Sequence, residues 1–84
     1  MTIYWFKECS FCHQGRLIIV YDVTNLRLYL HCEECERGWL DPAEAENAGK
    51  GFLTLLESFE TEMPSLKMIE NMGWLEYVGG RFEE

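Results

Sequence analysis

Four cysteines in two Cys-x-x-Cys pairs constrain the fold of this chain more than any other feature. Cys9 and Cys12 form the first pair, Cys32 and Cys35 form the second, and nineteen residues separate the pairs. Each pair can offer two thiolates to one metal ion, and the gap is long enough for a β-hairpin that returns the chain to the same ion. The spacing predicts one structural Zn²⁺ ion bound by all four cysteines.

Other chemistries use the same residues. Four cysteines in 84 residues could form two disulfides, and Cys-x-x-Cys also occurs in redox enzymes at a helix N-terminus. We favour a metal, because no signal peptide is visible and nothing after Cys12 is typical of a helix. A rubredoxin-like site has a glycine directly after each second cysteine, where this chain has His13 and Glu36. Rubredoxins also have a longer, irregular loop between the pairs, where this chain predicts a hairpin. Zinc is preferred for both reasons, although the spacing alone leaves iron open.

The two cysteine segments resemble each other. Segments 9–15 and 32–38 each place a glycine, Gly15 or Gly38, three positions after the second cysteine. We interpret each segment as a knuckle, a tight turn that points backbone N–H groups at the sulfurs, and expect its glycine to supply tight or left-handed backbone. His13 and His31 adjoin cysteines, but we interpret them as turn and strand-end residues because the ligand set is already complete.

The segment between the pairs predicts a hairpin. Residues 16–23 are rich in β-branched and aromatic side chains, and residues 26–31 alternate between apolar and other side chains, with the turn at Thr24-Asn25. The unbroken apolar run 17–21 indicates a strand covered on both faces, which leaves the C-terminal half to pack on the hairpin. Three leucines are expected to share one face of the second strand: Leu26, Leu28 and Leu30.

The C-terminal half shows short elements. Asp41-Pro42 predicts the start of a short helix that ends near Asn47, and residues 52–59 fit a helix or a strand equally well. Residues 65–73 predict a helix capped by Ser65 and ended by Gly73, and residues 74–78 a last strand. We expect order to end before the last few residues. The buried stripe of the helix would be Leu66, Ile69 and Met72.

These elements predict a small α+β fold in a single domain, 1–84. A zinc-ribbon hairpin with two knuckles occupies residues 1–40, and an acidic part with one or two short helices and added strands occupies 41–84. The longest apolar run is too short for a bilayer, so we expect a cytoplasmic protein without a membrane span. We expect no enzymatic activity, because no nucleophile with a base, no paired carboxylates in an apolar setting and no phosphate loop is present.

The negative charge lies mostly in the C-terminal half. The net charge is −8; residues 1–40 hold five acids and four bases, and residues 41–84 hold ten acids and three bases. Four thiolates on a divalent ion would add −2, so direct nucleic-acid binding is disfavoured. The acids of the C-terminal half can form an ordinary solvated face or a surface for a basic protein partner. The candidate partner-binding residues are Glu44, Glu46, Glu57, Glu60, Glu62 and Trp74.

A family resemblance extends over most of the chain, through the cysteine framework with its hairpin and two further segments. Those residues are Leu28–Glu36 leading to Trp39 and Pro42, and Ile69–Trp74. They look like small bacterial zinc-ribbon proteins, some of which resemble immunity proteins of contact-dependent inhibition or polymorphic toxin systems. The resemblance implies a non-enzymatic antidote that binds one cognate toxin domain, often a nuclease. The alternative is a zinc-ribbon adaptor or regulator in a transcription or translation complex.

Overall fold

A computed structural model describes residues 1–54, 58 and 60–84, which form one antiparallel sheet with a short helix. Among these residues the sheet has seven strands in the order β5-β4-β3-β2-β1-β7, and β6 pairs with the last two residues of β2. The strands are β1 Thr2–Glu8, β2 Arg16–Asp22, β3 Arg27–Cys32, β4 Arg37–Trp39, β5 Phe52–Leu53, β6 Thr61–Glu62 and β7 Gly80–Glu83. Helix α1 is Leu66–Asn71, and 3-10 turns lie at Pro42–Glu44, Ala48–Lys50 and Leu75–Tyr77. The expected small α+β class is confirmed.

The predicted hairpin is formed by β2 and β3, which pair from Leu17 opposite Cys32 to Asp22 opposite Arg27. Leu28 and Leu30 are buried as expected, but the assignment of Leu26 to the strand is wrong. Leu26 lies in the turn, is 70% exposed and has a φ of 56°. The Asp22 carboxylate accepts hydrogen bonds from the N–H and the Nδ2 of Asn25. The turn held in this way extends to Leu26, which adopts the left-handed backbone.

Both faces of β2 are covered, as the apolar run predicted. On one face Leu17 and Ile19 belong to a cluster that includes Trp39 and Ile69. On the other face, here called the groove face, Ile18 and Val20 pack with Ile3 and Tyr29. A groove of about 360 Å³ follows this second face, and Phe82 lines it. The hairpin therefore contributes side chains to both apolar clusters of the core.

The chain ends supply two strands that the sequence did not reveal. The predicted strand 74–78 is wrong, because a 3-10 turn occupies Leu75–Tyr77 and the last strand, β7, pairs with β1. The expectation that order ends before the last residues is wrong for the same reason. Gly80 permits this pairing, since a Cβ there would lie 2.6 Å from the ring of Trp5. A side chain at that position would separate the two strands.

The helical segments begin where expected but are shorter. The Ser65 hydroxyl accepts a hydrogen bond from the Met68 N–H, and Asp41 caps its 3-10 turn, which ends at Glu44 and not near Asn47. Of the predicted stripe on α1 only Ile69 is buried; Leu66 is 42% exposed and Met72 38%. Ile69 is the fully buried residue of this six-residue helix, and the apolar residues near its two ends, Leu66 and Met72, stay partly exposed.

Residues 52–59, whose sequence fits a helix or a strand equally well, begin as a strand. The first two residues form β5, which pairs with β4. Leu55, Leu56, Glu57 and Phe59 lie outside the described residues. Within the part of the chain that the structure describes, no helix has the length and apolar character needed to cross a membrane.

Candidate metal centre

The sheet topology brings the four cysteines to one place. The first knuckle connects β1 to β2 and the second connects β3 to β4, and these strands are successive antiparallel neighbours. Both connections therefore lie at the same end of the sheet. Cys9 N–H donates to Gly15 O at 2.8 Å and closes the first knuckle, and Glu33 N–H of the second knuckle donates to Arg16 O, directly after the first, at 3.2 Å.

The sulfurs are spaced as a single ion requires. Cys9 Sγ and Cys35 Sγ are 3.8 Å apart, Cys12 Sγ and Cys32 Sγ are 3.5 Å apart, and all four atoms lie within 4.8 Å of one another. All four cysteines are free thiols, so the disulfide alternative is not realised. Four sulfurs at about 2.3 Å from a tetrahedral Zn²⁺ would be about 3.8 Å from each other. The cluster can hold a metal ion, and Cys9 and Cys32 would lie on its buried side.

The conformational role expected of the knuckle glycines belongs to other residues. His13 and Glu36, each directly after a second cysteine, have φ values of 56° and 61°, whereas Gly15 and Gly38 do not have positive φ. The left-handed part of the expectation for the glycines is therefore wrong, whereas the tight approach that it also included is observed. The glycines are needed for close approach: a Cβ on Gly15 would lie 2.9 Å from Glu34 N and 3.0 Å from Cys32 Sγ.

Backbone N–H groups and burial act on the thiols in opposite directions. The N–H of Gln14 lowers the pKa of the Cys12 thiol to about 7, although burial acts against it. Burial raises the pKa of Cys32 and of Cys35, even though the Cys35 N–H donates to Cys32 Sγ at 3.4 Å. A divalent cation would stabilise the thiolates that burial disfavours, and its binding would release protons.

The histidines have partners other than the cluster. His31 Nε2 lies 3.0 Å from Glu36 Oε2, and His13 Nδ1 lies 3.6 Å from Glu8 Oε2. Within the described residues, the metal-ligand cluster consists of the four cysteines alone. The interpretation of both histidines as turn and strand-end residues agrees with this arrangement.

The predicted partner-binding acids fall into two separate groups. Glu44 and Glu46 lie at the metal end, where Lys7 pairs with Glu46. Glu60 and Glu62 lie at the hairpin turn, with Glu60 N–H donating to Thr24 Oγ1 at 2.9 Å. The seven residues of β2, which rise about 20 Å, separate the two ends. Glu57 lies outside the described residues.

The sixth candidate, Trp74, lies in a different environment. It is half-buried against the core and contacts the Tyr77 ring edge-on at a centroid distance of 6.0 Å. Two exposed apolar residues near it, Met72 and Leu75, were not predicted as surface residues. The helical spacing suggested burial for Met72, and only the shortness of α1 could have indicated otherwise.

Most bases of the N-terminal half are already paired with acids. Lys7 pairs with Glu46, and Arg16 Nε lies 2.7 Å from Glu33 Oε2. Arg27 Nε lies 3.0 Å from Asp22 Oδ2. These pairs neutralise three of the four bases of residues 1–40, so that the half with the least negative charge does not form a basic surface.

Comparisons with protein-family models, with curated proteins and with solved structures found no match for this chain. Its function must therefore be inferred from the metal centre and from the chemistry of its surface.

Proposed function

We propose that the four cysteines bind one structural Zn²⁺ ion and that the resulting zinc ribbon supports a non-enzymatic, protein-binding module. Four protein sulfurs fill a tetrahedral shell, so no coordination position remains for water or substrate. Such an ion acts through folding, with an apparent binding free energy of about 10–16 kcal/mol in small zinc modules. That is as large as the whole stability expected of 84 residues.

The observation that best supports a binding function is the surface around α1, here called the C-terminal surface: Leu66, Glu70, Met72, Leu75 and Glu76. Its three large apolar side chains are 38–43% exposed. Glu70 of α1 and Glu76 of the following 3-10 turn are exposed as well. Apolar contacts bordered by acids are what a protein partner with a complementary basic rim would bind, since apolar anchors supply affinity and charges steer encounter.

The partner we propose is a basic toxin domain, most simply a nuclease. The net charge of −8 has the sign that a cationic nucleic-acid groove attracts, and the family resemblance implies an immunity protein. In this proposal the C-terminal surface with Trp74 makes the desolvated contact. Glu44, Glu46, Glu60 and Glu62, at both ends of the hairpin, steer the approach from further away.

The metal is tested first. Natively purified, reduced protein should contain one zinc per chain by elemental analysis, and a chelator should abolish the near-ultraviolet circular dichroism of its tryptophans. Iron in place of zinc would change the identity of the ion but keep the site. Absence of a stoichiometric metal would contradict the proposal.

The partner is tested by co-expression with the neighbouring gene product, followed by purification in rising salt. We expect a complex that salt weakens and that Leu75→Ala weakens by about 30-fold, the effect of losing one interface hot spot. Leu26→Ala is the matched control, because Leu26 is an exposed leucine in the distant hairpin turn. A complex insensitive to salt and to Leu75→Ala would exclude this surface, and stable capture of a transcription or translation assembly instead would support the adaptor alternative.

A further inference from the structure

Strand β7 presents an outer edge that carries two opposite charges. It is the terminal strand of the sheet order, and among the described residues only β1 pairs with it. Arg81 and Glu83 are exposed, whereas Phe82 between them is half-buried and lines the groove face. Because side chains alternate along a strand, Arg81 and Glu83 project from the face opposite to Phe82.

The hydrogen bonds to β1 determine which backbone groups face outward. Glu84 and Met1 exchange both bonds, with Glu84 N–H donating to Met1 O at 2.9 Å and the Met1 amino group donating to Glu84 O at 3.0 Å. In an antiparallel ladder hydrogen-bonded and non-hydrogen-bonded pairs alternate. The backbone N–H and C=O groups of Phe82 therefore point towards β1, and those of Arg81 and Glu83 point to the open edge.

We propose that β7 pairs antiparallel with β7 of a second copy of this chain, in the register that places Phe82 opposite Phe82 of that copy. In this register Arg81 of each copy lies opposite Glu83 of the other. The outward N–H and C=O groups of these residues then form four backbone hydrogen bonds, and two cross-strand ion pairs form on one face. The arrangement has two-fold symmetry, so it closes as a dimer and does not continue as a fibre.

The charges select this register over its neighbours. A shift by one residue on each copy keeps the hydrogen-bonding pattern but places Arg81 opposite Arg81, or Glu83 opposite Glu83. Both arrangements bring like charges together, which is destabilising for directly opposed pairs. An edge that carried one sign of charge would repel a second copy, as many natural edge strands do. The Arg-Phe-Glu order of β7 is instead complementary to itself.

Sedimentation equilibrium of the metal-loaded protein tests the proposal. At about 0.15 M salt the Debye length is about 8 Å, which screens the net charge of each copy more than it screens ion pairs in contact. We expect a reversible dimer with a dissociation constant of about 100 μM or lower. Arg81→Glu and Glu83→Arg should each weaken it by at least about tenfold, because each makes both cross-strand pairs like-charged.

Two rescue measurements separate charge pairing from loss of folding. The double variant Arg81→Glu/Glu83→Arg should dimerise again, and the two single variants should form a heterodimer when mixed, since one edge is then fully acidic and the other fully basic. Circular dichroism of each variant checks the fold, because the Glu83 carboxylate also accepts a hydrogen bond from the Thr2 hydroxyl and lies 3.8 Å from the Met1 amino group. A wild-type protein that is monomeric at about 1 mM, or single variants that mixing does not rescue, would overturn the proposal.

Discussion

Asp22 at the end of β2 gives the sharpest test of how the hairpin is held. Its side chain is fully buried and its carboxylate accepts three hydrogen bonds: from Asn25 N–H at 3.0 Å, from Asn25 Nδ2 at 2.8 Å and from Arg27 Nε at 3.0 Å. Asp22→Ala would remove the acceptor for all three donors. We expect this substitution to destabilise the protein strongly, even though it lies at the end of the hairpin away from the metal centre.

The magnitude follows from the three bonds. The two bonds from Asn25 should contribute at least about 1 kcal/mol each, because a hydrogen bond to a charged acceptor is as strong as an ordinary one or stronger. The Arg27 side chain is 40% exposed, so water replaces part of what it loses, and about 1 kcal/mol is a sufficient allowance. The expected loss of unfolding free energy is therefore about 3 kcal/mol, a large share of the stability of a domain of this size.

Urea unfolding of the metal-loaded protein, followed by tryptophan fluorescence, measures this loss. The matched control is Asp41→Ala, because the Asp41 carboxylate is exposed and accepts a single bond, from Ala43 N–H at 3.0 Å. We expect the control to lose about 1 kcal/mol, as for other helix N-caps. If Asp22→Ala cost no more than Asp41→Ala, the assignment of the turn to the Asp22 carboxylate would be refuted.

The pH dependence of the same variant tests the charge state. Burial alone would raise the pKa of Asp22, but the hydrogen bonds from Asn25 and Arg27 outweigh it and hold the pKa below its usual value. A lowered pKa means that the stabilisation is fully present above about pH 3.9 and is lost only as pH falls through the lower folded value. The difference between wild type and Asp22→Ala should therefore stay constant from about pH 6 to 8. A difference that shrank towards pH 6 would indicate a raised pKa.

Three further substitutions, two of them paired with a control substitution, test the knuckles and α1. His13→Gly should keep zinc content unchanged and raise the unfolding free energy by zero to about 1 kcal/mol, because φ is 56° there; loss of zinc would make His13 a ligand. Gly15→Ala should lower zinc affinity in a chelator competition and reduce the unfolding free energy by about 2 kcal/mol, because its Cβ would clash with the second knuckle. Gly73→Ala is the control: its φ is 79° and no atom lies within 4 Å of its Cβ, so it should reduce the unfolding free energy by about 1 kcal/mol and leave zinc affinity unchanged. Ile69→Ala should cost about 2–5 kcal/mol in urea unfolding and Leu66→Ala less than about 1 kcal/mol; equal costs would contradict the observed burial.

Local pattern predicted the elements whose partners lie nearby in sequence. Two short Cys-x-x-Cys turns and the hairpin between them fix the positions of the sulfurs, so spacing alone predicted the cysteine cluster. The pairing of β1 with β7 joins residues about 80 positions apart, and no local signal in either segment names the other. Within α1, helical spacing identified Ile69 as buried. It could not show that Leu66 and Met72, three residues away on either side, stay partly exposed.

The backbone at His13 and Glu36 removes one of the two distinctions between this chain and a rubredoxin-like site. The absence of glycine after each second cysteine was a reason to prefer zinc over iron, yet His13 and Glu36 adopt the left-handed backbone that a glycine there would supply. Residues other than glycine at these two positions are thus compatible with left-handed backbone in the knuckle. The preference for zinc therefore rests on the regular hairpin between the knuckles, and elemental analysis distinguishes the two metals directly.

The cysteine cluster and Asp22 lie at opposite ends of the same strands. Cys9 follows β1, Cys12 precedes β2, Cys32 ends β3 and Cys35 precedes β4, so one ion would join four adjacent strands at one end of the sheet. At the other end the Asp22 carboxylate joins β2 to β3 through Arg27. Strand β1 also carries β7 along its outer side. Loss of the ion should consequently free the cysteine end of β1, whereas Asp22 still holds β2 to β3 at the other end, so that metal removal should weaken dimerisation through β7 even where the β2–β3 hairpin survives.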